Sequence, residues 1–330
     1  MSESKRAFSG IQPTGVPHIG NFLGAIRHWV QEQESGHKHI YCVVNQHAIT
    51  VSYDPAELRN NVRDLVAVLL ACGLDPSKVV LFVQSHIPEH TELAWLLTCT
   101  TPIGWLQRMT QFKEKSEGQR ERISAGLLTY PTLMAADILL YQAHIVPVGD
   151  DQKQHVELAR DLAQRFNNLY GEVFVVPEPV IRAVGARVMG LDDPGKKMSK
   201  SEEGQYHAIE LLDEPAAIRK KLGRAVTDSQ RDIVFDKERA GLFNLLTIYQ
   251  SLTGESEEAI TAHFEGKGYG DLKKEVAEVV IAAFDPIRTR YAEITADPGY
   301  IDGVLTSGVE RVRPTVDETM SRVRRAMGLQ

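Results

Sequence analysis

Short apolar runs alternate with stretches of helical spacing through the first half of the chain, and this alternation restricts the fold more than any other feature. Residues 39–44, 79–83, 144–148 and 173–176 read as strands, the first of them apolar enough to be covered on both faces. A shorter strand candidate around Phe8 precedes them. Between the strands, Ile19, Phe22, Leu23, Ile26, Trp29 and Val30 recur at helical spacing, as do Leu58, Val62, Leu65, Val66 and Leu69. Such alternation predicts right-handed crossovers and an α/β fold with a parallel sheet. Ligands of these sheets gather at the carboxyl ends of the strands, which here carry Asn45, Gln46 and His47 at one place and Gln84 and His86 at another. His47 is open between a turn role and a site role.

Beyond Glu210 the strands largely disappear. Helices are predicted over 215–222, over 242–252 with Leu242, Leu245, Leu246 and Tyr249 on one side, over 271–294, and over 309–327. The expected division is a sheet domain over 1–202, a smaller all-helical domain over 203–300, and a C-terminal helix in 301–330 that packs back on the body. A formal net charge of −7 excludes a uniformly basic surface but not a local basic patch. Arg311, Arg313, Arg322, Arg324 and Arg325 on the last helix therefore suit either packing or phosphate contact. Cys42, Cys72 and Cys99 form no CxxC pair and read as inert thiols rather than a zinc site. No apolar run reaches the about twenty residues that span a membrane, residues 1–6 lack the apolar continuation of a signal peptide, and the expected location is the cytoplasm.

Two stretches carry the chemistry. The first, 8–21, joins a strand to a helix through a turn rich in Gly and Pro, with His18, Gly20 and Asn21 at the helix entrance, where free N–H groups favour an anion. It does not spell the dinucleotide pattern GxGxxG. Taken alone, a histidine at a helix start is equally a capping residue. The second is Lys197-Met198-Ser199-Lys200-Ser201, flexible lysines on a polar loop that suit charge developing on a phosphate. His18-Ile-Gly20-Asn21 resembles the HIGH signature of class I aminoacyl-tRNA synthetases, with Asn in the last place, and 197–201 matches their KMSKS signature letter for letter. The resemblance implies a Rossmann-like catalytic domain, an anticodon-binding helical domain, and ATP and Mg²⁺ as cofactors.

A third stretch, 124–141, is a helix that is apolar nearly all round and interrupted by Asp137. A buried unpaired carboxylate costs several kcal/mol, so a ligand, an arginine or a backbone N–H must supply a donor. This region is similar to the amino-acid pocket of bacterial tryptophanyl-tRNA synthetases. By that resemblance Asp137 accepts the indole N–H and Met134 packs the ring. Phe8, Val146 and Val148 line the pocket, and Tyr130 and Gln152 stand near the amino group. The same resemblance implies catalytic roles for His18, Asn21, Lys113, Lys197 and Lys200. It implies ATP contacts from Gln12, Gly20, Asn21, Gly149 and Asp151, and from Lys197, Met198, Ser199 and Lys200 in the lysine loop. No protein metal ligands are implied. Residues 116–122 read as a mobile loop over the site, and Lys113 beside them equally as part of a solvated charge run. Asn45 stands where family members often carry an acid. The implied partners are L-tryptophan, ATP, tRNA(Trp) and a second copy in a homodimer. A tyrosine-specific synthetase and a noncatalytic RNA-binding paralogue are the alternatives.

Overall fold

The computed structural model describes residues 4–110, 124–149, 152–181, 187–199, 204 and 206–330. Among them, β1 (Arg6–Ile11), β2 (Lys38–Val43), β3 (Val80–Val83), β4 (Ile145–Val148) and β5 (Glu178–Ile181) form one sheet in the order β3-β2-β1-β4-β5. Every neighbouring pair is parallel, with Phe8 beside Ile40 and Ala7 beside Ile145. The chain order reverses direction at β1, and the crevice between β1 and β4 is the switch point at which such sheets bind ligands.

The predicted strand over 173–176 is not a strand. Asn167 Oδ1 accepts from the Val173 and Phe174 N–H groups at 3.0 and 2.9 Å, and Gln142 Oε1 accepts from Val175 N–H at 2.8 Å. With those donors taken by side chains there is no ladder to form, and β5 begins later, at Glu178. The segment around 45–48, expected as a turn, makes one short helix, Asn45–Ala48.

The helices Pro215–Gly223, Ala240–Thr253, Glu257–His263, Tyr269–Ala296 and Pro298–Ala326 make up the second half. Their core is continuous with that of the first half: Leu246, Val280 and Phe284 join the same buried cluster as Ile19, Leu23 and Leu65. Phe22 meets Phe284 edge to face, with centroids 5.9 Å apart.

The last helix returns to the sheet. Val312, Val316, Met320 and Val323 are buried with Phe8 and Phe82. A Cβ at Gly308 would stand 2.0 Å from the Leu81 carbonyl oxygen, so glycine lets the helix lie directly on β3. Its arginines fasten the contact. Arg311 donates to the Pro76 and Val79 carbonyls, Arg313 to Glu89, Arg322 to the Glu172 carbonyl, and Arg324 grips Glu92 with two bonds of 2.8 and 2.6 Å. Arg325 bonds Ser321 on its own helix. Of the two readings of these arginines, the structure shows packing.

Candidate active site

The entrance helix starts with a reciprocal cap. His18 Nδ1 accepts from the Gly20 and Asn21 N–H groups at 3.0 and 3.3 Å, while Asn21 Oδ1 accepts from His18 N–H at 3.0 Å. Because Nδ1 is an acceptor, a neutral His18 carries its ring hydrogen on Nε2. A Cβ at Gly20 would lie 2.9 Å from the His18 ring, so glycine is what allows this cap. The capping role of His18 is thus the one this geometry shows.

The segment after the lysine loop ties into this turn. Ile19 N–H donates to the Ile209 carbonyl at 2.8 Å and Leu211 N–H to the Pro17 carbonyl at 2.9 Å, which brackets an antiparallel bridge between His18 and Glu210. The residues that lead into the loop form a hairpin. Met189 pairs with Lys197, Gly190 N–H donates to the Lys196 carbonyl at 2.9 Å, and Met198 N–H donates to the Val188 carbonyl at 3.1 Å. Asn244, buried on the helix Ala240–Thr253, holds Met189 at both its N–H and its carbonyl. Met198 is buried in the core below the hairpin, where its side chain is an anchor. Backbone pairing thus fixes the first signature to residues 209–211, the segment that follows the second.

Asp137 lies on the helix Ala125–Leu139 and is 1% exposed. Its Oδ2 accepts from His47 Nε2 at 2.7 Å, and its Oδ1 accepts from Gln84 Nε2 and His90 Nδ1, both at 2.7 Å. His47 and Gln84 follow β2 and β3, so the carboxylate is gripped by two strand ends. Gln84 is itself oriented, because its Oε1 accepts from Gln46 N–H at 2.9 Å. His90 Nε2 meets the Tyr141 hydroxyl at 2.6 Å. Burial, with Cys42 and Asp137 nearby, pushes the Tyr141 phenol well above its ordinary range, so it donates to Nε2 and leaves His90 presenting Nδ1–H to Asp137. Burial alone would raise the Asp137 pKa, but the opposing charge of His47 and the hydrogen bonds from His47 and His90 hold it at about 2.

A carboxylate offers about four acceptor positions. Three donors occupy Asp137 among the described residues, two on Oδ1 and one on Oδ2, which leaves a position on Oδ2. Asp137 borders a cavity of about 450 Å³ at the switch point between β1 and β4. The cavity is walled by Phe8, Met134, Val146 and Val148, with Tyr130, Gln152, Gln12, Asn21 and Gly149 around its rim, so these sequence-predicted residues meet in one place. Tyr130, whose hydroxyl contacts His155 Nε2, is raised to about 12 by burial and stays protonated. His18, Gly20, Lys197, Met198 and Ser199 are not among the walls. Lys113, Asp151, Lys200 and the loop 116–122 lie outside the described residues.

Asn45 bridges the ends of β2 and β3: its Nδ2 donates to Ser85 Oγ at 2.9 Å and its Oδ1 accepts from Ser85 N–H at 3.1 Å. An acid there could hold both partners as an acceptor, with the Ser85 hydroxyl turned to donate. Sequence reasoning missed His90 and Tyr141. The available signal was a histidine in the first turn of the helix Glu89–Thr100 and a tyrosine four residues after Asp137. Among the described residues, no group of three His, Cys, Asp or Glu could hold a metal ion, and no helix is long and apolar enough to cross a membrane.

A cavity bordered by Asp137 lies at the switch point of a parallel sheet, and the chain belongs to the family of class I tRNA synthetases for tryptophan and tyrosine, whose model matches residues 2–285. It is similar over nearly its whole length to tryptophan–tRNA ligases. The one from Wolinella succinogenes is 55% identical over 325 residues, covering 98% of this chain and 99% of that protein, and one from Helicobacter pylori is 54% identical over 325 residues, covering 98% and 99%. Among solved structures, the tryptophanyl-tRNA synthetase of Mycoplasma pneumoniae superposes with a TM-score of 0.90 at 39% identity, covering 99% of both chains. That of Campylobacter jejuni in complex with ADP and tryptophan gives 0.85 at 37%, covering 98% of this chain and 100% of that one.

Proposed function

We propose that this chain is a tryptophan–tRNA ligase. The carboxylate of L-tryptophan attacks the α-phosphorus of ATP, the bond to the bridging oxygen breaks, and pyrophosphate leaves. A hydroxyl of the terminal adenosine of tRNA(Trp) then attacks the carbonyl of tryptophanyl-adenylate and AMP departs. Neither step needs a protein nucleophile. The work of the chain is alignment and the neutralisation of phosphate charge.

The observation that carries the reading is the remaining acceptor position of Asp137 beside a cavity that also has apolar walls. Indole supplies one N–H donor and a large apolar surface, which match that acceptor and the walls Phe8, Met134, Val146 and Val148. Tyr130 and Gln152 take the amino-acid end. His18, Gly20 and Asn21 face the ATP phosphates, with Gln12, Gly149 and Asp151 toward the adenosine. Lys197, Ser199 and Lys200, aided by Lys113, follow the charge that builds on the leaving pyrophosphate. Mg²⁺ arrives on the ATP phosphates as part of that substrate. Residues 1–202 act as the catalytic domain, 203–300 as the anticodon-binding domain, and the C-terminal helix as a brace. The enzyme works in the cytoplasm, where its tRNA is.

A homodimer is part of the same reading. Trp95 and Ile103 are 66% and 63% exposed, and with the exposed Cys99 they succeed one another every four residues along the end of the helix Glu89–Thr100 and the start of the next. An apolar row of that kind suits burial against a second copy.

The test is ATP–pyrophosphate exchange with each of the twenty amino acids separately. Tryptophan alone should drive exchange. Exchange driven by tyrosine would select the tyrosine-specific reading, and none with any amino acid, from folded protein that binds tRNA, would select the noncatalytic one.

A further inference from the structure

The hairpin that carries Lys197 is closed by a histidine that the reaction above does not use. His207 is 3% exposed. Its Nδ1 lies 2.6 Å from Asp192 Oδ1, and its Nε2 faces the Lys197 carbonyl at a longer 3.5 Å. Its own carbonyl accepts from Leu191 N–H at 3.0 Å. Asp192 precedes the lysines and His207 follows them, so a side chain at the exit of the loop reaches both its entry and Lys197. Glycines make the room: a Cβ at Gly190 would stand 2.1 Å from His207 Cε1, and one at Gly204 would stand 2.5 Å from Asp192 Oδ2. Neither glycine has a left-handed φ, so space is what they provide. The carboxylate and the carbonyl are both acceptors, and the ring lies between them.

We propose that His207, anchored by Asp192, is a positioning residue for Lys197. It fixes the backbone from which the lysine side chain rises, and so sets where the ammonium group stands against departing pyrophosphate. The four-carbon stem of lysine magnifies an error at its base, and a misplaced charge loses transition-state stabilisation rather than substrate binding. The proposal rests on the reading of Lys197 as a phosphate-binding lysine.

Tryptophan-driven ATP–pyrophosphate exchange separates the two. It is measured on His207→Leu, which fills the space without a donor; His207→Gln, whose amide reaches toward the Nε2 position; Lys197→Ala; and the Lys197→Ala/His207→Leu double variant, with thermal melting of each. His207→Leu should lower kcat about tenfold while KM for tryptophan stays within about twofold, and His207→Gln should recover most of the loss. In the Lys197→Ala background, His207→Leu should cost nothing further, because a residue that acts through Lys197 has nothing left to position. Should His207→Leu fail to fold, Gly190→Ala displaces the same ring and should show the same loss of kcat. Unchanged kcat in a folded His207→Leu or Gly190→Ala variant, a loss that His207→Gln does not recover, or losses that multiply in the double variant would overturn the proposal. Full exchange activity in Lys197→Ala would overturn the reading of the lysine itself.

Discussion

Asp137 holds its charge because three side chains from three separate places converge on it: His47 after β2, Gln84 after β3 and His90 on the helix Glu89–Thr100. Asp137→Ala removes the acceptor and leaves three buried donors with no partner, each worth about 1–3 kcal/mol. Exchange by the variant should lose at least about 10²-fold in kcat/KM for tryptophan, with KM for ATP little changed. An equal rise in both KM values would contradict a role confined to the side chain. The pH dependence follows from the depressed pKa. The folded value, about 2, lies below that of an unfolded aspartate. Its stabilisation is therefore fully present above about pH 4 and is lost as pH falls through about 2. The acid limb of wild-type urea unfolding should thus include a stabilising contribution that Asp137→Asn lacks above about pH 4. Identical wild-type and variant stability at neutral pH would contradict it. None of this network was legible from spacing, since His47, Gln84, His90 and Asp137 share no motif. Only the need for some donor to a buried carboxylate, from a ligand, an arginine or a backbone N–H, could be read from the sequence, and the chain itself supplies two histidines and an amide.

Elements were legible where periodicity was strong and failed where a side chain outcompeted the backbone. The crossovers and the long helix Tyr269–Ala296 followed from alternation and periodicity, whereas the walls of the cavity were named only through the resemblance to the synthetase family. The misplaced fifth strand has one cause: Asn167 and Gln142 take the N–H groups a ladder would need, and no apolar pattern signals that. The C-terminal helix makes its own prediction. Gly308→Ala drives a methyl group into the Leu81 carbonyl and should cost about 2 kcal/mol or more, read as a lower midpoint in urea. Arg324→Ala, by contrast, breaks a pair in which both side chains are about one-third exposed, 35% and 39%, and should cost under about 1 kcal/mol. If the arginine costs more than the glycine, ion pairing rather than close packing holds the helix down.

At the scale of the whole molecule, the sheet and the helical half share one core, with Phe284 of the long helix packed on Phe22 at the site's entrance helix. Heating should therefore unfold the chain in one cooperative transition, and two separated calorimetric peaks would show that the halves are independent. The central claim is narrower: that Asp137 accepts a hydrogen bond from the indole N–H. The most direct measurement is kcat/KM in pyrophosphate exchange for L-tryptophan against β-(3-benzothienyl)-L-alanine, which has nearly the same shape with sulfur in place of N–H. The account predicts a preference for tryptophan of at least about 10²-fold, collapsing toward equality in Asp137→Ala. Equal use of both amino acids by the wild-type enzyme would contradict it.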